Sequence, residues 1–244
     1  MSFVCLDAGN TRLKWGVADE RSVWLAQGAL EWSALASLPD LLTDAARGGS
    51  PLRRAFLSSV VAPEVEQVLT ESLSGLSVTR LAGNPGVAGV TNGYADPAEL
   101  GVDRWCALIG ARALERRACL VVMAGTATTI DSLDATGRFL GGLILPGVEL
   151  MKTALHQGTA RLPLAEGRYA DHPDNTRDAI VTGCLDAQIG AIERAYARLP
   201  DAQVCLLSGG AASALTPLLK LPTCVASNLV LEGMRHWALQ TMRH

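Results

Sequence analysis

Charge is scarce in this chain. Asp, Glu, Lys and Arg make up 18% of its 244 residues, below the quarter or so that is usual for a soluble domain. Hydrophobic residues reach 49%, so material for buried cores is ample and disorder is excluded. No Lys/Arg-rich run occurs and the formal net charge is −3, which argues against a nucleic-acid partner. No apolar stretch approaches the roughly 18 residues of a membrane span. The run Phe3–Leu6 meets Asp7 too soon for a signal peptide. Cys5, Cys106, Cys119, Cys184, Cys205 and Cys224 form no C-x-x-C pair, and they read as buried, reduced thiols of a cytoplasmic protein. His156, His172, His236 and His244 lack H-E-x-x-H or comparable metal spacing. Walker P-loop, G-x-G-x-x-G and G-x-S-x-G motifs are missing too.

What is present is a repeat. Residues 2–7 read as a buried strand, Gly9-Asn10 as a turn, and 12–17 and 23–26 as further strands of an antiparallel meander. Segments 33–46 and 63–73 read as helices, with strands at 53–60 and 76–81. Pro63, Glu64 and Glu66 suit a first helical turn. Residues 82–95, rich in Gly, Asn and Pro, read as a loop. Asp96-Pro97-Ala98-Glu99 then resembles a capping box opening a long helix that runs through Glu115. After it the meander restarts, with strands at 118–123, 128–133 and 139–144. Helical patterns follow at 147–156, 176–198 and 228–242, with a strand at 203–208. Ala8-Gly9-Asn10-Thr11 falls opposite Ala124-Gly125-Thr126-Ala127. The period of about 116 residues is too long for a solenoid. It predicts two like α/β domains facing each other, 1–115 and 116–244.

Four clusters could carry chemistry. In Asp7-Ala8-Gly9-Asn10-Thr11-Arg12-Leu13-Lys14 a strand delivers an acid to its end, a glycine permits close backbone approach, and Asn10, Thr11 and Lys14 can meet phosphate oxygens. An acid beside phosphate implies a hydrated Mg²⁺ between them, held by Asp7. An ordinary hairpin turn is the competing reading. The turn Ala124-Gly125-Thr126-Ala127-Thr128-Thr129 has the same small-residue character, and two such turns could clamp one polyphosphate. Gly101-Val102-Asp103-Arg104 offers a carboxylate to take a hydroxyl proton and a guanidinium for an anion, although a solvated helix face explains both as well. Leu207-Ser208-Gly209-Gly210-Ala211-Ala212 reads as a strand-to-helix turn, suited to adenosine or an α-phosphate or to no ligand at all.

Taken in order, Asp7-x-Gly9-Asn10-Thr11-x-x-Lys14, Tyr94-x-x-Pro97-x-x-Leu100-Gly101-x-Asp103-Arg104 and Gly125-Thr126-Ala127-x-Thr129 resemble the type III pantothenate kinases, or Bvg accessory factor family. These sit in the acetate kinase/sugar kinase/Hsp70/actin superfamily. The resemblance implies two tandem ribonuclease-H-like (actin-like ATPase) domains with a central nucleotide cleft. It implies phosphorylation of pantothenate by ATP with Mg²⁺, the first step of coenzyme A synthesis. Carried over by motif, residues 7–14 and Thr126 bind ATP, and Asp103 is the proton acceptor. Tyr94, Gly101, Val102, Asp103, Arg104 and Thr176 bind pantothenate, Thr176 acting from the partner subunit of a homodimer. A monovalent cation, NH₄⁺ or K⁺, is implied as well. The family's acid at that cation is replaced here by Met123, whose thioether is a poor ligand for a hard ion. Two other readings fit parts of the pattern: a sugar or acetate kinase, and a regulatory factor that binds nucleotide without turnover.

Overall fold

The computed structural model describes residues 2–47 and 50–242. His244 lies outside them. The chain divides into two compact units, one of Met1–Arg116 with Asn228–His244 and one of Arg117–Ser227.

The first unit opens with β1 (Ser2–Ala8), β2 (Arg12–Asp19) and β3 (Trp24–Glu31), an antiparallel meander. A 3₁₀ turn (Trp32–Ser37) leads into α1 (Leu38–Ala45). Then come β4 (Leu52–Ser59), α2 (Pro63–Ser72) and β5 (Ser77–Arg80), with β4 and β5 parallel to β1. The sheet order is β3-β2-β1-β4-β5. Every residue of β1 is buried, as its unbroken apolar run demands of a central strand covered on both faces. Val4, Leu6, Leu13, Trp15, Val17 and Leu57 share one face and form a core with Leu38, Leu42 and Leu69 of the first two helices. The loop read at 82–95 holds a two-residue ribbon, β6 (Gly86–Val87) and β7 (Val90–Thr91), turning on Ala88 and Gly89, both at positive φ.

The long helix expected from Asp96 is broken. Asp96 does cap, accepting from Ala98 N, but it caps only a 3₁₀ turn over Pro97–Glu99. Leu100 and Gly101 return to extended ψ values of 119° and 134°, and α3 (Val102–Leu114) starts afresh with Gly101 as its N-cap. The break puts Asp103 in the first turn of a helix, where the helix dipole favours an anion.

The second unit repeats the plan. β8 (Cys119–Ala124), β9 (Ala127–Leu133) and β10 (Phe139–Pro146) form the meander, followed by α4 (Val148–Gly158) and the long α5 (Thr176–Arg198). Asn175 caps α5 through a bond from Asp178 N at 3.0 Å. β11 (Val204–Ser208), α6 (Ala212–Leu215) and β12 (Thr223–Val225) complete a sheet ordered β10-β9-β8-β11-β12. Leu120, Val122, Ile130, Ile189, Ile192 and Leu207 anchor its core.

The last helix, α7 (Leu229–Met242), was expected within the second domain. It belongs to the first unit, packed along α3. Two glycines make this close crossing possible. A Cβ on Gly110 would strike Leu229 O, and one on Gly233 would strike Cys106 O. Gly233→Ala should therefore overpack the pair and destabilise the protein by about 1–3 kcal/mol, read as a lower midpoint in chemical denaturation. An exposed Gly→Ala change such as Gly190→Ala, where added bulk meets nothing, should leave the midpoint level or raise it.

Candidate active site

In the first unit the site is organised around Asp7, the penultimate residue of β1. Lys14 on β2 and Ser58 on β4 are its direct cross-strand partners, so the three side chains line up on one face of the sheet. This is the face opposite the Leu6–Trp15–Leu57 core, and α3 and α7 pack over it. Asp7 is 7% exposed and Ser58 is fully buried, its hydroxyl donating to Asp7 Oδ1 at 3.5 Å. Burial pushes the Asp7 carboxyl up from 3.8 to about 6. The Lys14 ammonium opposes that rise, the Asp103 carboxylate adds to it, and the Ser58 bond lowers it. The structure thus brings Asp7, Lys14 and Asp103 into one electrostatic neighbourhood. Ser58 is a member the sequence reading missed, and its only signal was a polar pair, Ser58-Ser59, closing an apolar strand.

Beyond Asp7 the chain turns through Gly9, whose N–H donates to Arg12 O at 3.2 Å and whose carbonyl accepts from Trp32 Nε1 at 3.1 Å. Asn10 and Thr11 are exposed at the tip. Ala8 and Leu13 point into the core, so a ligand could meet only their backbone. Arg12 leans toward Glu31 at 4.0 Å.

Asp103 and Arg104 enter on α3. Asp103 Oδ1 accepts from Arg104 N at 2.8 Å. A Cβ on Gly101 would lie 2.8 Å from that same oxygen, which explains a glycine beside the acid. Arg104 is 5% exposed. Its Nη1 donates to Tyr94 Oη at 3.2 Å, and its guanidinium carbon lies 5.8 Å from the Tyr94 ring centroid. Gly101 and Val102 frame the pair at the start of the helix.

The second unit holds Thr126 and Thr176. The β8–β9 turn carries Gly125 and Thr126. Gly125 N–H donates to Ala127 O at 3.1 Å, and Ala211 N–H reaches Ala124 O at 3.1 Å. The Gly209-Gly210 turn therefore packs beside it. Met123 pairs with Thr129 and Ser208, as Asp7 pairs with Lys14 and Ser58. Thr176, the first residue of α5, instead lines an apolar groove of about 650 Å³ with Met151, Leu155, Leu162 and Ile180. The two units therefore hold separate parts of the predicted set. Among the described residues no cluster of three or more His, Cys, Asp or Glu is placed to hold a metal, and none of the helices is long and apolar enough to cross a membrane. All six cysteines are free thiols; Cys224 is exposed, against expectation, and the other five are buried.

A sequence profile of type III pantothenate kinases matches residues 3–198. The chain belongs to the type III pantothenate kinase family. Kinase activity on pantothenate, at the first step of coenzyme A biosynthesis, is the activity of that family. A type III pantothenate kinase of Dechloromonas aromatica (strain RCB) is 50% identical over 242 residues, covering 98% of this chain and 99% of its own. A conserved Baf family protein of Campylobacter jejuni is 19% identical with a TM-score of 0.62, over 99% of this chain and 100% of its own. Component A of the (R)-2-hydroxyglutaryl-CoA dehydratase of Acidaminococcus fermentans is 11% identical with a TM-score of 0.55, over 98% and 97%. These likenesses give the fold, that of the actin-like ATPases.

For this pantothenate kinase the ionised Asp7 is a cost. The rise from 3.8 to about 6 corresponds to about 3 kcal/mol. Below pH 3.8 the acid is neutral in both folded and unfolded chains, and the cost is absent. It grows as pH rises and is complete above about 6. Asp7→Asn should therefore stabilise the ligand-free protein at pH 8, by up to about 3 kcal/mol. The gain should shrink as pH falls from 6 toward 4, as thermal melts across that range would record.

Proposed function

We propose that this chain transfers the γ-phosphoryl group of ATP to the primary hydroxyl of pantothenate, with Asp103 as proton acceptor. The observation that carries the catalytic assignment is the place of Asp103 in the first turn of α3, near enough to the buried Asp7 for its carboxylate to help raise the Asp7 pKa. A second acid, free of strand pairing and held at a helix start, stands beside the acid that ends the central strand. In a loose phosphoryl-transfer transition state positioning outweighs basicity, so Asp103 serves by orienting the acceptor hydroxyl and receiving its proton. Gly101 and Val102 shape the backbone next to it. Arg104 and Tyr94 supply a cation and a hydroxyl for the anionic end of pantothenate.

The backbone of residues 7–14 with Asn10, Thr11 and Lys14 would hold ATP phosphates, and Thr126 would add a contact from the second unit. Asp7 fits Mg²⁺. A buried carboxylate with a raised pKa gains most from a nearby cation, and Mg²⁺ needs only one or two carboxylates when phosphate and water complete its shell. When bound, the ion would neutralise charge on the transferring phosphoryl group. A monovalent cation, K⁺ or NH₄⁺, would have to rely on backbone carbonyls near Met123. The free thiols and the absence of a membrane-crossing helix among the described residues suit a cytoplasmic enzyme.

A homodimer fits the second unit. Its edge strand β10 exposes Leu143 and Ile144, and α4 exposes Leu150 and Leu155. In such a dimer Thr176 is the residue assigned to the partner's pantothenate. Static light scattering at micromolar concentration should give twice the chain mass of 25.6 kDa. A mass of one chain would remove Thr176 from the substrate set.

The activity is tested by an ATP- and Mg²⁺-dependent pantothenate phosphorylation assay, with and without K⁺ or NH₄⁺. Product should form, and Asp103→Asn should lower kcat by about 10²–10⁴-fold with an unchanged melting temperature. A substrate panel in which a sugar but not pantothenate is phosphorylated would overturn the assignment.

A further inference from the structure

Besides the Ala211 bond to Ala124 O, the β8–β9 turn is held at its tip by a chain of bonds that begins deep in the core of the second unit. Gly147 N–H donates to Thr126 O at 2.9 Å. Gly147 closes β10 and precedes α4, and no other residue fits there: a Cβ would strike Gly125 O and lie 2.6 Å from Thr126 O. The carbonyl of the same Pro146–Gly147 peptide is fixed in turn. Gln188, midway along α5, donates from Nε2 to Pro146 O at 2.7 Å and lies 3.2 Å from Met151 sulfur. With the amide reversed, its Oε1 would face the carbonyl oxygen, so only this orientation bonds.

Stability alone does not explain that amide. Gln188 is 1% exposed, on the buried face of α5 with Cys184, Leu185, Ile189 and Ile192. Its Oε1 is buried without a hydrogen-bond partner. An unmet buried acceptor costs free energy, and a Leu or Met would suit the surrounding core. The core keeps a half-satisfied amide, and what the amide secures is the position of Pro146-Gly147 and, through it, Thr126.

We propose that Gln188 is a positioning residue for the nucleotide, holding the Gly125–Thr126 turn in its phosphate-binding place through Pro146 and Gly147. This rests on reading Thr126 as a phosphate contact. Gln188→Met keeps length and apolar volume but loses the donor. It should raise the KM for ATP about five- to tenfold, the worth of one hydrogen bond. The KM for pantothenate should stay within about twofold, and the melting temperature should move little, because the replacement removes one unmet acceptor while taking the donor from Pro146 O. Gly147→Ala displaces the same turn directly and should show the same selective ATP defect. Thr126→Ala separates the two ideas. If it leaves the ATP KM unchanged, the phosphate reading fails and the proposal with it. If Thr126→Ala raises the ATP KM while Gln188→Met and Gly147→Ala do not, the reading stands and the positioning role is overturned. Equal rises in both KM values would mark Gln188 as merely structural and also overturn it. In the Gln188→Met/Thr126→Ala double variant the two losses should fall well short of additive.

Discussion

The first unit depends on keeping a carboxylate largely out of water. Asp7 ends a strand buried along its whole length, and burial is the largest influence on its titration. A protein interior accepts such a group only with compensation. Here the compensation is partial: one hydroxyl from Ser58 and one ammonium from Lys14, set against a second carboxylate on α3. The neighbouring structure follows from this arrangement. β2 must place Lys14 opposite the acid, β4 must end in a small hydroxyl, and α3 must begin late enough for Asp103 to sit in its first turn.

The two sheets share one order and one pairing scheme, yet their central strands end differently. Lys14–Asp7–Ser58 in the first corresponds to Thr129–Met123–Ser208 in the second. The framework is duplicated while the charge is not. A strand-end acid is costly, and the second sheet has dispensed with it. The second turn receives backbone bonds from Gly147 and Ala211. At the matching strand positions the first unit carries Asp7 and the second carries Met123.

Much of this was legible in the residues. Period-2 alternation and continuous apolar runs located the strands of both meanders, and matching turns revealed the duplication. The candidate residues Asp7, Asp103 and Thr126 fall near a strand end, at a helix start and on a turn, where regular pairing ends. What stayed hidden has physical causes. The capping box at Asp96 is a local signal, and it is obeyed locally; the extended backbone at Leu100 and Gly101 then overrides continuation. A 3.6-residue pattern shows that 228–242 is a helix but not which sheet receives it. That choice was made by Gly110 and Gly233, whose close approach no pattern announces. Gln188 is equally silent, since an amide on a long helix reads as a solvent-facing residue until the fold buries it. Ser58 was passed over because its partner lies 51 residues away in sequence.

The placement of α7 has a temporal consequence. The first unit is assembled from segments on both sides of residues 117–227, which emerge between them. During synthesis the first sheet leaves the ribosome without the helix that covers α3, and the second unit has its whole sequence available first. The usual order, in which N-terminal domains fold ahead of those that follow, is reversed here. The acid-bearing unit is closed by a helix translated after the whole second unit, so a nascent chain cut short before Asn228 would carry every catalytic residue proposed above yet lack the helix that closes the first unit.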